Sequence, residues 1–347
     1  MRFHVVSLPH TQTTQEYSWC AYTEKVRKFC NMMTDRGHEI ILYASEENEA
    51  RVSELVTCIG KWDGNPRIPQ FGAEVPIFKQ MNLKVIEEMK TRIQPRDFIC
   101  LIGGSTQKLI ADTFPSNMSV EFGIGYSGVF ANYKVFESYA WMHSVYGQGG
   151  AAAADGKFFD TVIPNYWDPE DFPYAEEQED YYLFIGRLID RKGYKLAAQL
   201  CEHMGVKLKI AGNGEPPSYG EYVGEVGPVE RGELMSKAIA VFVPTIYVEP
   251  FGGVHAEANL CGTPVITTDW GVFTETVTNG VNGYRCRTFQ EFLDAMEAVK
   301  TLDRKKIRKN AQKRFSTKVV AKQYEDYFNR LNLLWGKGFY QLREDEE

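Results

Sequence analysis

The chain has 347 residues, a formal net charge of −7, 44% hydrophobic residues and 24% charged residues. This length exceeds what one hydrophobic core usually serves, so we expect two domains. The acidic balance argues against a nucleic-acid binder, which would carry a basic surplus or a dominant basic stripe. The one basic run, Arg304–Lys309, is interpreted as a solvated helix face.

In the first half of the chain, short apolar runs alternate with segments of helical period. Strands are predicted at RFHVVSL, EIILYAS and DFICLIGG, and helices at AYTEKVRKFCNMMTDRG, VPIFKQMNLKVIEEMKTRI, TQKLIADTF and YKVFESYAWMHSVYG. Gly37 is the expected stop of the first helix. Strands that alternate with helices predict parallel sheets covered on both faces.

The pattern is interrupted in FDTVIPNYWDPEDFPYAEEQED, where prolines, aromatics and an acidic run mark a boundary near residues 165–180. It then restarts, with strands at YYLFIGRL, VKLKIAGNG, VFVPT and TPVITTD and helices at YKLAAQLCEHMG, ELMSKAIA and after Gly253. We therefore expect an α/β protein of two doubly wound, Rossmann-like domains facing across a cleft, 1–165 and 166–330. The C-terminal helix, about 331–347, is expected to pack back on the first domain. Ligands of such sheets bind outside the carboxyl ends of the strands.

The cysteines and the first residues bear on the compartment. Seven cysteines are scattered without a CxxC pair, which argues against a zinc ribbon and for a reduced, cytoplasmic setting. The opening MRFHVVSLPH lacks a signal-peptide core, and no run approaches the roughly 18 apolar residues that span a bilayer. Peripheral membrane contact is left open.

The stretch VEPFGGVHAEANLCGTPV places Glu249 and Glu257 around the pair Gly252 and Gly253, at the start of a predicted helix. The first N–H groups of a helix have no internal partner and suit a phosphate. Glu257, about one turn into the helix, can accept hydrogen bonds from two ribose hydroxyls, and Glu249 can accept them from the group beyond the phosphates. The alternative is a first-turn helix glutamate favoured by the dipole, with an exposed loop residue before it.

Two cations follow the strand in FIGRLIDRKG. Arg187 offers a planar fork to phosphate and Lys192 a point charge, so together they can neutralise a diphosphate; the alternative is a pair of surface cations at a turn. We find no Asp-x-Asp pair that ends a strand and no His/carboxylate cluster with ligand spacing, so we expect no metal and no other cofactor. The strand ends IAGNGE and EYVGEV, with Asn213, Tyr222 and Val223, are candidates to lie against a nucleotide base, or are ordinary turns.

Five motifs occur in a fixed order: GRLIDRKG, AGNGE, VGEVG, EPFGGVHAEANLCGTPVITTD and NGVNGYRC. Their order and spacing resemble the C-terminal half of retaining glycosyltransferase family 4, which has the GT-B fold. The resemblance covers about residues 161–300, and VIPNYWD resembles the segment that precedes that half. It implies transfer of a sugar from a nucleoside-diphosphate sugar to a hydroxyl of a glycan or other acceptor. The implied mechanism retains the anomeric configuration by front-side attack and needs no metal.

The resemblance also implies roles by position. Glu249 would bind the donor sugar, Glu257 the ribose, and Arg187 and Lys192 the diphosphate. Further donor-side contacts would come from the backbone of Phe251, Gly252, Gly253 and Gly186. The first domain, 1–165, would be the acceptor side, and 166–330 the nucleotide-sugar side.

The first half departs from the family pattern. Where the family has a Gly-Gly loop after the first strand, this chain has LPHTQTTQEYSW, so His10 and Thr11 are candidates for its work. The family histidine that lines the donor sugar has no match at the expected strand ends; His10 and His143 are candidates, and His143 also fits an amphipathic core helix. The remaining candidates for the sugar or acceptor side follow a predicted strand: Gly103, Gly104 and Ser105.

Two other classes of function compete with this hypothesis. One is a GT-B-like epimerase or phosphorylase, although a phosphorylase would carry a pyridoxal-phosphate lysine in a longer chain. The other is a non-catalytic subunit that binds sugar nucleotides. The complete set of two glutamates, an arginine and a lysine favours a working site, because such charges are costly to keep in a cleft without a ligand.

Overall fold

The computed structural model describes residues 1–67, 70–150 and 158–335. Its contacts divide the chain into two α/β units. Unit 1 comprises Met1–Phe136, Asp155–Ile163 and Ala321–Glu347, and unit 2 comprises Glu137–Ala154 and Pro164–Val320. This division differs from a single boundary at 165/166, because the chain enters unit 2 first at Glu137 and again at Pro164, and its last part, from Ala321, belongs to unit 1. Residues 336–347 of the predicted C-terminal helix lie outside the described residues.

Unit 1 contains a seven-stranded parallel sheet. Its strands are β1 (Arg2–Val6), β2 (Glu39–Ser45), β3 (Glu54–Ile59), β4 (Phe98–Leu101), β5 (Met118–Ile124), β6 (Tyr133–Phe136) and β7 (Thr161–Val162). The strand order is β3-β2-β1-β4-β5-β6-β7, and every adjacent pair is parallel. β1, β2 and β4 are almost fully buried, as continuous apolar strands of a parallel sheet should be. The order reverses between β1 and β4, which creates a topological switch point there.

The helices of unit 1 are α1 (Ala21–Asp35), α2 (Pro76–Lys90), α3 (Lys108–Thr113) and, from residue 321 onwards, α11 (Thr317–Leu334). α11 packs on the sheet through Phe328, whose ring centroid lies 4.7 Å from that of Phe3 and 4.9 Å from that of Phe98. Glu325 on the same helix accepts hydrogen bonds from Arg36 at 2.5 Å and from His38 at 3.2 Å. The described end of the chain is therefore part of unit 1.

The segment YKVFESYAWMHSVYG is a strand followed by a helix, so its prediction as one helix is wrong. Tyr133–Phe136 is β6, which pairs in parallel with β5. The valine and aromatic side chains of this tetrapeptide favour a pleated, buried surface. The helix, α4 (Tyr139–Gln148), begins only after Ser138, whose hydroxyl accepts a hydrogen bond from Trp141 N at 3.1 Å. A serine N-cap of this kind separates the two elements.

Unit 2 contains a six-stranded parallel sheet. Its strands are β8 (Tyr182–Ile185), β9 (Leu208–Ala211), β10 (Glu221–Gly224), β11 (Val241–Val243), β12 (Val265–Thr268) and β13 (Gly283–Cys286). The strand order is β10-β9-β8-β11-β12-β13, again with parallel pairs only. The helices of this unit are α4, α5 (Tyr194–Met204), α6 (Pro228–Lys237), α7 (Gly253–Leu260), α8 (Phe273–Thr276), α9 (Phe289–Ala298) and α10 (Arg304–Phe315).

Alternate residues of the unit 2 strands enter two separate apolar clusters. Tyr182 and Phe184 of β8 belong to one cluster, and Leu183 and Ile185 belong to the other. Successive side chains of a strand point to opposite faces of the sheet. The sheet is therefore covered on both faces, as the alternating pattern predicts.

The basic run on α10 is only partly solvated. Arg304 and Arg308 are turned inward: Arg304 donates a hydrogen bond to Ala238 O at 3.0 Å, and Arg308 donates one to Leu260 O. The lysines of Arg304–Lys309 stay exposed. The interpretation as a solvated face is thus wrong for the two arginines. Because Leu260 is the last residue of α7, Arg308 also places positive charge at the C-terminus of that helix, which is favourable.

All seven cysteines are unpaired and buried. None of the helices in the described ranges combines the length and the apolar character needed to cross a bilayer.

Candidate functional site

The strand order of unit 2 determines where its site residues meet. The order reverses between β8 and β11, so the loops after these two strands diverge and leave a crevice at their carboxyl ends. Gly186 and Arg187 follow β8, and Glu249 follows β11. α7 begins at Gly253, directly after the second loop. The predicted donor residues therefore gather at the switch point of the second sheet.

Two glycines allow the close approaches that build this crevice. Gly193 has φ 76°, and a Cβ atom there would lie 2.1 Å from Pro244 O, so only glycine brings the Lys192 turn against the loop after β11. Gly252 has φ 70° and caps α7, and a Cβ atom there would lie 2.9 Å from Glu249 Cγ. Both positions need a left-handed backbone without a side chain.

Glu249 and Lys192 form an ion pair. Glu249 Oε2 accepts a hydrogen bond from Lys192 Nζ at 2.6 Å, and the two side chains are 9% and 22% exposed. A buried carboxylate needs a positive partner or hydrogen-bond donors, and Lys192 provides both. The sequence motifs predict both residues, but for different parts of the donor: Glu249 for the sugar and Lys192 for the diphosphate.

Tyr247 completes this cluster, and sequence reasoning missed it. The Arg191 guanidinium carbon lies 4.7 Å from the Tyr247 ring centroid, and Lys192 Nζ lies 5.2 Å from it. Burial, followed by the neighbouring Glu249 carboxylate, raises the pKa of Tyr247, so the phenol stays protonated. The only sequence signal is a tyrosine two residues before the first glutamate.

Glu257 is buried and has a cation beside it. Its Oε2 atom lies 3.3 Å from Arg231 Nε on α6, with the side chains 8% and 34% exposed. The local motif that identifies Glu257 gives no signal for Arg231, because Arg231 lies on a different helix. The two predicted glutamates are thus both buried, and each lies next to a positive charge.

The start of α7 carries no side-chain cap, so its first N–H groups are suited to an anion. His255, which sequence reasoning also missed, fixes this turn. Its Nδ1 lies 2.6 Å from Gly252 O and therefore donates to that carbonyl. The ring is fully buried among aromatic rings, including Phe251 at 5.2 Å and Phe273 at 5.6 Å. Burial lowers the pKa of His255 to about 4, so the imidazole is neutral.

A cavity of about 90 Å³ lies at this crevice, bordered among others by Gly186, Lys192, Thr245, Glu249 and Gly253. Typical small-molecule sites measure roughly 300–1,000 Å³, so this cavity suits one part of a ligand rather than a whole sugar nucleotide. The Thr245 hydroxyl is a buried polar atom without a hydrogen-bond partner. It is a further candidate contact that the motifs do not single out.

The remaining donor-side candidates lie around the same strand ends. Arg187 is exposed, and Phe251 is buried with its side chain in the core, which leaves only its backbone for a ligand. Asn213 donates to Glu225 at 2.7 Å, and the Tyr222 hydroxyl donates to Gly212 O at 2.9 Å. Val223 packs against the core of unit 2.

The candidates of unit 1 lie at the switch point of the first sheet. His10 and Thr11 follow β1 and are buried. His10 packs against the ring of Phe78, and its Nε2 lies 3.4 Å from Cys20 Sγ. Burial lowers the pKa of His10 to about 4, and its Nδ1 is buried without a partner. The Thr11 hydroxyl hydrogen-bonds to that of Thr23.

The loop after β4 lies at the same switch point. Gly103 and Gly104 have φ values of 95° and 68°, and Ser105 N donates to Gly128 O at 2.9 Å. Gln107 ties this loop to β1, because its amide donates to Ser7 O at 2.8 Å. The first-sheet candidates are thus brought together at adjacent strand ends.

His143 is not grouped with them. It lies exposed on α4, in unit 2. The sequence analysis placed it in the first domain, either as the histidine that lines the donor sugar or as part of a core helix. α4 has no buried residue, so the alternative of a core helix is wrong. The start of α4 instead contacts the loop between β11 and α7, since the Ser138 hydroxyl donates to Pro250 O at 2.6 Å. Glu275 accepts from the N–H groups of Tyr139 and Ala140 at 2.9 and 2.6 Å.

Among residues 1–67, 70–150 and 158–335, no group of three or more His, Cys, Asp or Glu side chains is arranged to hold a metal ion.

Residues 169–314 match the family model described as Glycosyl transferases group 1. An uncharacterised glycosyltransferase of Methanocaldococcus jannaschii is 34% identical over 126 residues, which are 31% of this chain and 32% of that protein. A glycogen synthase of Mycobacterium tuberculosis is 32% identical over 148 residues, 36% of each chain. The alignments thus span about a third of the length of these curated relatives. They confirm the resemblance at the level of group 1; the finer assignment to family 4 stays a prediction.

Solved structures match nearly the whole chain. A glycosyltransferase involved in avilamycin A biosynthesis has a TM-score of 0.68 at 20% identity, covering 95% of this chain and 98% of that chain. A sucrose-phosphate synthase from Thermosynechococcus elongatus has a TM-score of 0.69 at 16% identity, covering 96% and 99%. The Anabaena protein HepE, solved in complex with UDP and glucose, has a TM-score of 0.66 at 15% identity, covering 95% and 99%. The predicted GT-B fold, with two Rossmann-like domains, is confirmed.

Proposed function

We propose that this protein is a metal-independent, retaining glycosyltransferase that moves a sugar from a nucleoside-diphosphate sugar to an acceptor hydroxyl. One observation carries the proposal: two buried carboxylates, Glu249 and Glu257, flank the uncapped start of α7 at the switch point of the second sheet. The group 1 match over residues 169–314 supports it. HepE, which shares the fold, was solved with UDP-glucose.

In this proposal the diphosphate binds at the start of α7. The N–H groups after Gly252 lie at the N-terminus of α7. This is the positive end of the helix dipole, and it favours a developing negative charge. Arg187, which is exposed after β8, and Lys192 supply two further positive charges. Together they stabilise the departing diphosphate without a metal.

Glu249 and Glu257 then bind opposite ends of the donor. Glu249 accepts hydrogen bonds from hydroxyls of the transferred sugar, and its Oε2 atom also pairs with Lys192 Nζ at 2.6 Å. Glu257 accepts them from the ribose. The acceptor hydroxyl attacks on the face that the diphosphate leaves, and a diphosphate oxygen takes its proton, so neither glutamate acts as a nucleophile. This geometry gives retention of the anomeric configuration.

The acceptor side is assigned to the first-sheet candidates. His10, neutral because of burial, has an unpartnered Nδ1 that suits a hydroxyl. Gly103 and Gly104, with left-handed φ values of 95° and 68°, turn the backbone directly after β4. These residues belong to the unit in which the chain departs most from the family motifs.

The test is release of nucleoside diphosphate from a panel of sugar nucleotides based on uridine, guanosine, adenosine and thymidine, with a mixture of candidate glycan acceptors. The proposal predicts acceptor-dependent release, and NMR of the product should show the anomeric configuration of the donor. Binding of a sugar nucleotide without release or transfer would identify a non-catalytic binder instead. An inverted product would contradict the mechanism.

A further inference from the structure

The contact between Arg231 and Glu257 joins two helices of unit 2. Glu257 lies on α7 and Arg231 on α6, with Arg231 Nε 3.3 Å from Glu257 Oε2. Within the described ranges, Arg231 is the cation found at ion-pair distance from this carboxylate. A carboxylate that is only 8% exposed requires a positive partner or hydrogen-bond donors. Arg231 supplies the charge.

The pair leaves hydrogen-bonding capacity unused. Arg231 Nε and Glu257 Oε2 are both buried atoms without a hydrogen-bond partner, so their 3.3 Å contact is electrostatic rather than a formed hydrogen bond. Buried polar atoms in native proteins nearly always have a partner. A hydroxyl group suits both atoms at once, because it donates to a carboxylate and accepts from an N–H group.

Packing fixes Arg231 at this place. α6 contacts the end of α7 through the Thr263 hydroxyl, which donates to Met235 O at 2.6 Å, and through Cys261 Sγ, which lies 3.7 Å from Gly232 O. Gly232, the neighbour of Arg231, itself lies close to Pro173, which a Cβ atom at Gly232 would approach to 2.8 Å. The register of α6 against α7 is therefore well determined.

The two oxygens of Glu257 face different surroundings. Oε2 faces Arg231, whereas Oε1 lies 3.8 Å from the point that a Cβ atom on Gly253 would occupy. Gly253 borders the cavity at the start of α7. Arg231 thus orients Oε2, and Oε1 lies near the start of α7, where the donor is proposed to bind.

We propose that Arg231 orients the Glu257 carboxylate and, through its Nε atom, shares one of two ribose hydroxyls with it, so that the site selects ribonucleoside diphosphates over their 2′-deoxy forms. This inference rests on the proposed function. A donor that lacks one hydroxyl leaves buried polar atoms of the pair without a partner, which is the costly case. Sugar nucleotides with a ribose, rather than a deoxyribose, are therefore the donor class.

The test is calorimetric titration with three matched pairs of ligands: UDP and 2′-deoxy-UDP, GDP and 2′-deoxy-GDP, and ADP and 2′-deoxy-ADP. For the base that binds, wild-type protein should prefer the ribonucleotide by about tenfold or more, on the scale of one lost hydrogen bond to a charged group. Arg231→Met should weaken ribonucleotide binding about tenfold and 2′-deoxynucleotide binding less than threefold. Arg231→Lys should restore part of the preference.

The matched control is Arg287→Met, which removes an arginine that pairs with Asp269 at 2.9 Å elsewhere in unit 2; it should leave both affinities unchanged. Equal losses for the two sugars in Arg231→Met, or an unchanged preference in both Arg231 variants, would overturn the inference while leaving the proposed function intact. Wild-type protein that binds none of the six ligands would overturn the proposed function, and the inference with it.

Discussion

Lys192 Nζ lies 2.6 Å from Glu249 Oε2, so the cation assigned to the diphosphate and the carboxylate assigned to the transferred sugar neutralise each other. The two residues come from different strand ends, one after β8 and one after β11. A diphosphate at the start of α7 would share Lys192 with Glu249. Replacing either side chain therefore leaves the charge of the other without its partner, and this affects the result of either substitution.

Replacing Glu249 should separate binding from transfer. Glu249→Ala removes the contact to the transferred sugar but frees Lys192 for the diphosphate, so transfer should be lost while affinity for the nucleoside diphosphate is retained or rises. Initial rates and calorimetric titration measure the two effects. Glu297→Ala removes an exposed glutamate of α9 that pairs with Lys300 after the helix; it is the control and should behave as wild type. Wild-type turnover in Glu249→Ala would remove this residue from the site.

Replacing either predicted diphosphate cation should slow turnover. Arg187→Ala and Lys192→Met should each lower kcat by about 10²–10³, the scale of losing one preorganised stabiliser of developing charge. Lys195→Met removes a nearby exposed lysine that pairs with Asp190, and it should have little effect. A loss of less than threefold in Arg187→Ala would exclude that residue from the role.

Metal removal should leave activity unchanged. In the proposed mechanism Arg187, Lys192 and the start of α7 stabilise the diphosphate, so transfer rates with and without EDTA should agree. The measurement is the initial rate after dialysis against chelator, followed by addition of Mg²⁺ or Mn²⁺. Activity that disappears with EDTA and returns with either ion would contradict the metal-independent mechanism.

Acid should destabilise unit 2 through His255. Its pKa is lowered to about 4 by burial, from an unfolded value of 6.5. A lowered histidine pKa means that the folded state resists protonation. The contribution of the neutral His255 to the free energy of unfolding is therefore complete above the unfolded-state pKa of 6.5, and it is lost as the pH falls towards the folded-state pKa of about 4. The expected loss is roughly 3 kcal/mol between pH 8 and pH 4.

Denaturant unfolding of wild type and His255→Phe at a series of pH values measures this contribution. The variant removes the titrating group but keeps an aromatic ring, so its stability should fall less steeply below pH 6.5. Comparing slopes rather than absolute stabilities separates titration from any change in packing. Parallel curves for the two proteins would show that His255 does not titrate as its burial requires.

The sequence predicts β1, β2 and β4 of the first sheet and β8, β9, β11 and β12 of the second, because continuous apolar runs such as EIILYAS are long enough to be recognised. β6 was missed because its four residues run directly into Ser138 and α4, and the combined stretch resembles one amphipathic helix. β3 was missed because its burial is only partial, which weakens the apolar pattern. Short or half-buried elements depend on their neighbours in the sheet.

Some residues of the candidate site can be predicted from the sequence and others cannot. Glu249 and Glu257 can be predicted because they flank one local motif, and Lys192 because it follows a strand. Arg231 is not readable, since its approach to Glu257 depends on how α6 packs against α7. His255 lies inside the motif, but the sequence does not reveal that its ring turns into an aromatic core and holds Gly252.

The most direct test of the account is thermal unfolding with UDP, GDP, ADP, dTDP or CMP in the presence of EDTA. A site preformed at the start of α7 predicts a selective rise in Tm with one ribonucleoside diphosphate, by roughly the stability RT ln(1 + [L]/Kd) that a bound ligand adds. Lys192→Met should reduce that rise, because it removes one of the two charges proposed for the diphosphate. A Tm that is unchanged by every nucleotide would contradict a preformed donor site in unit 2.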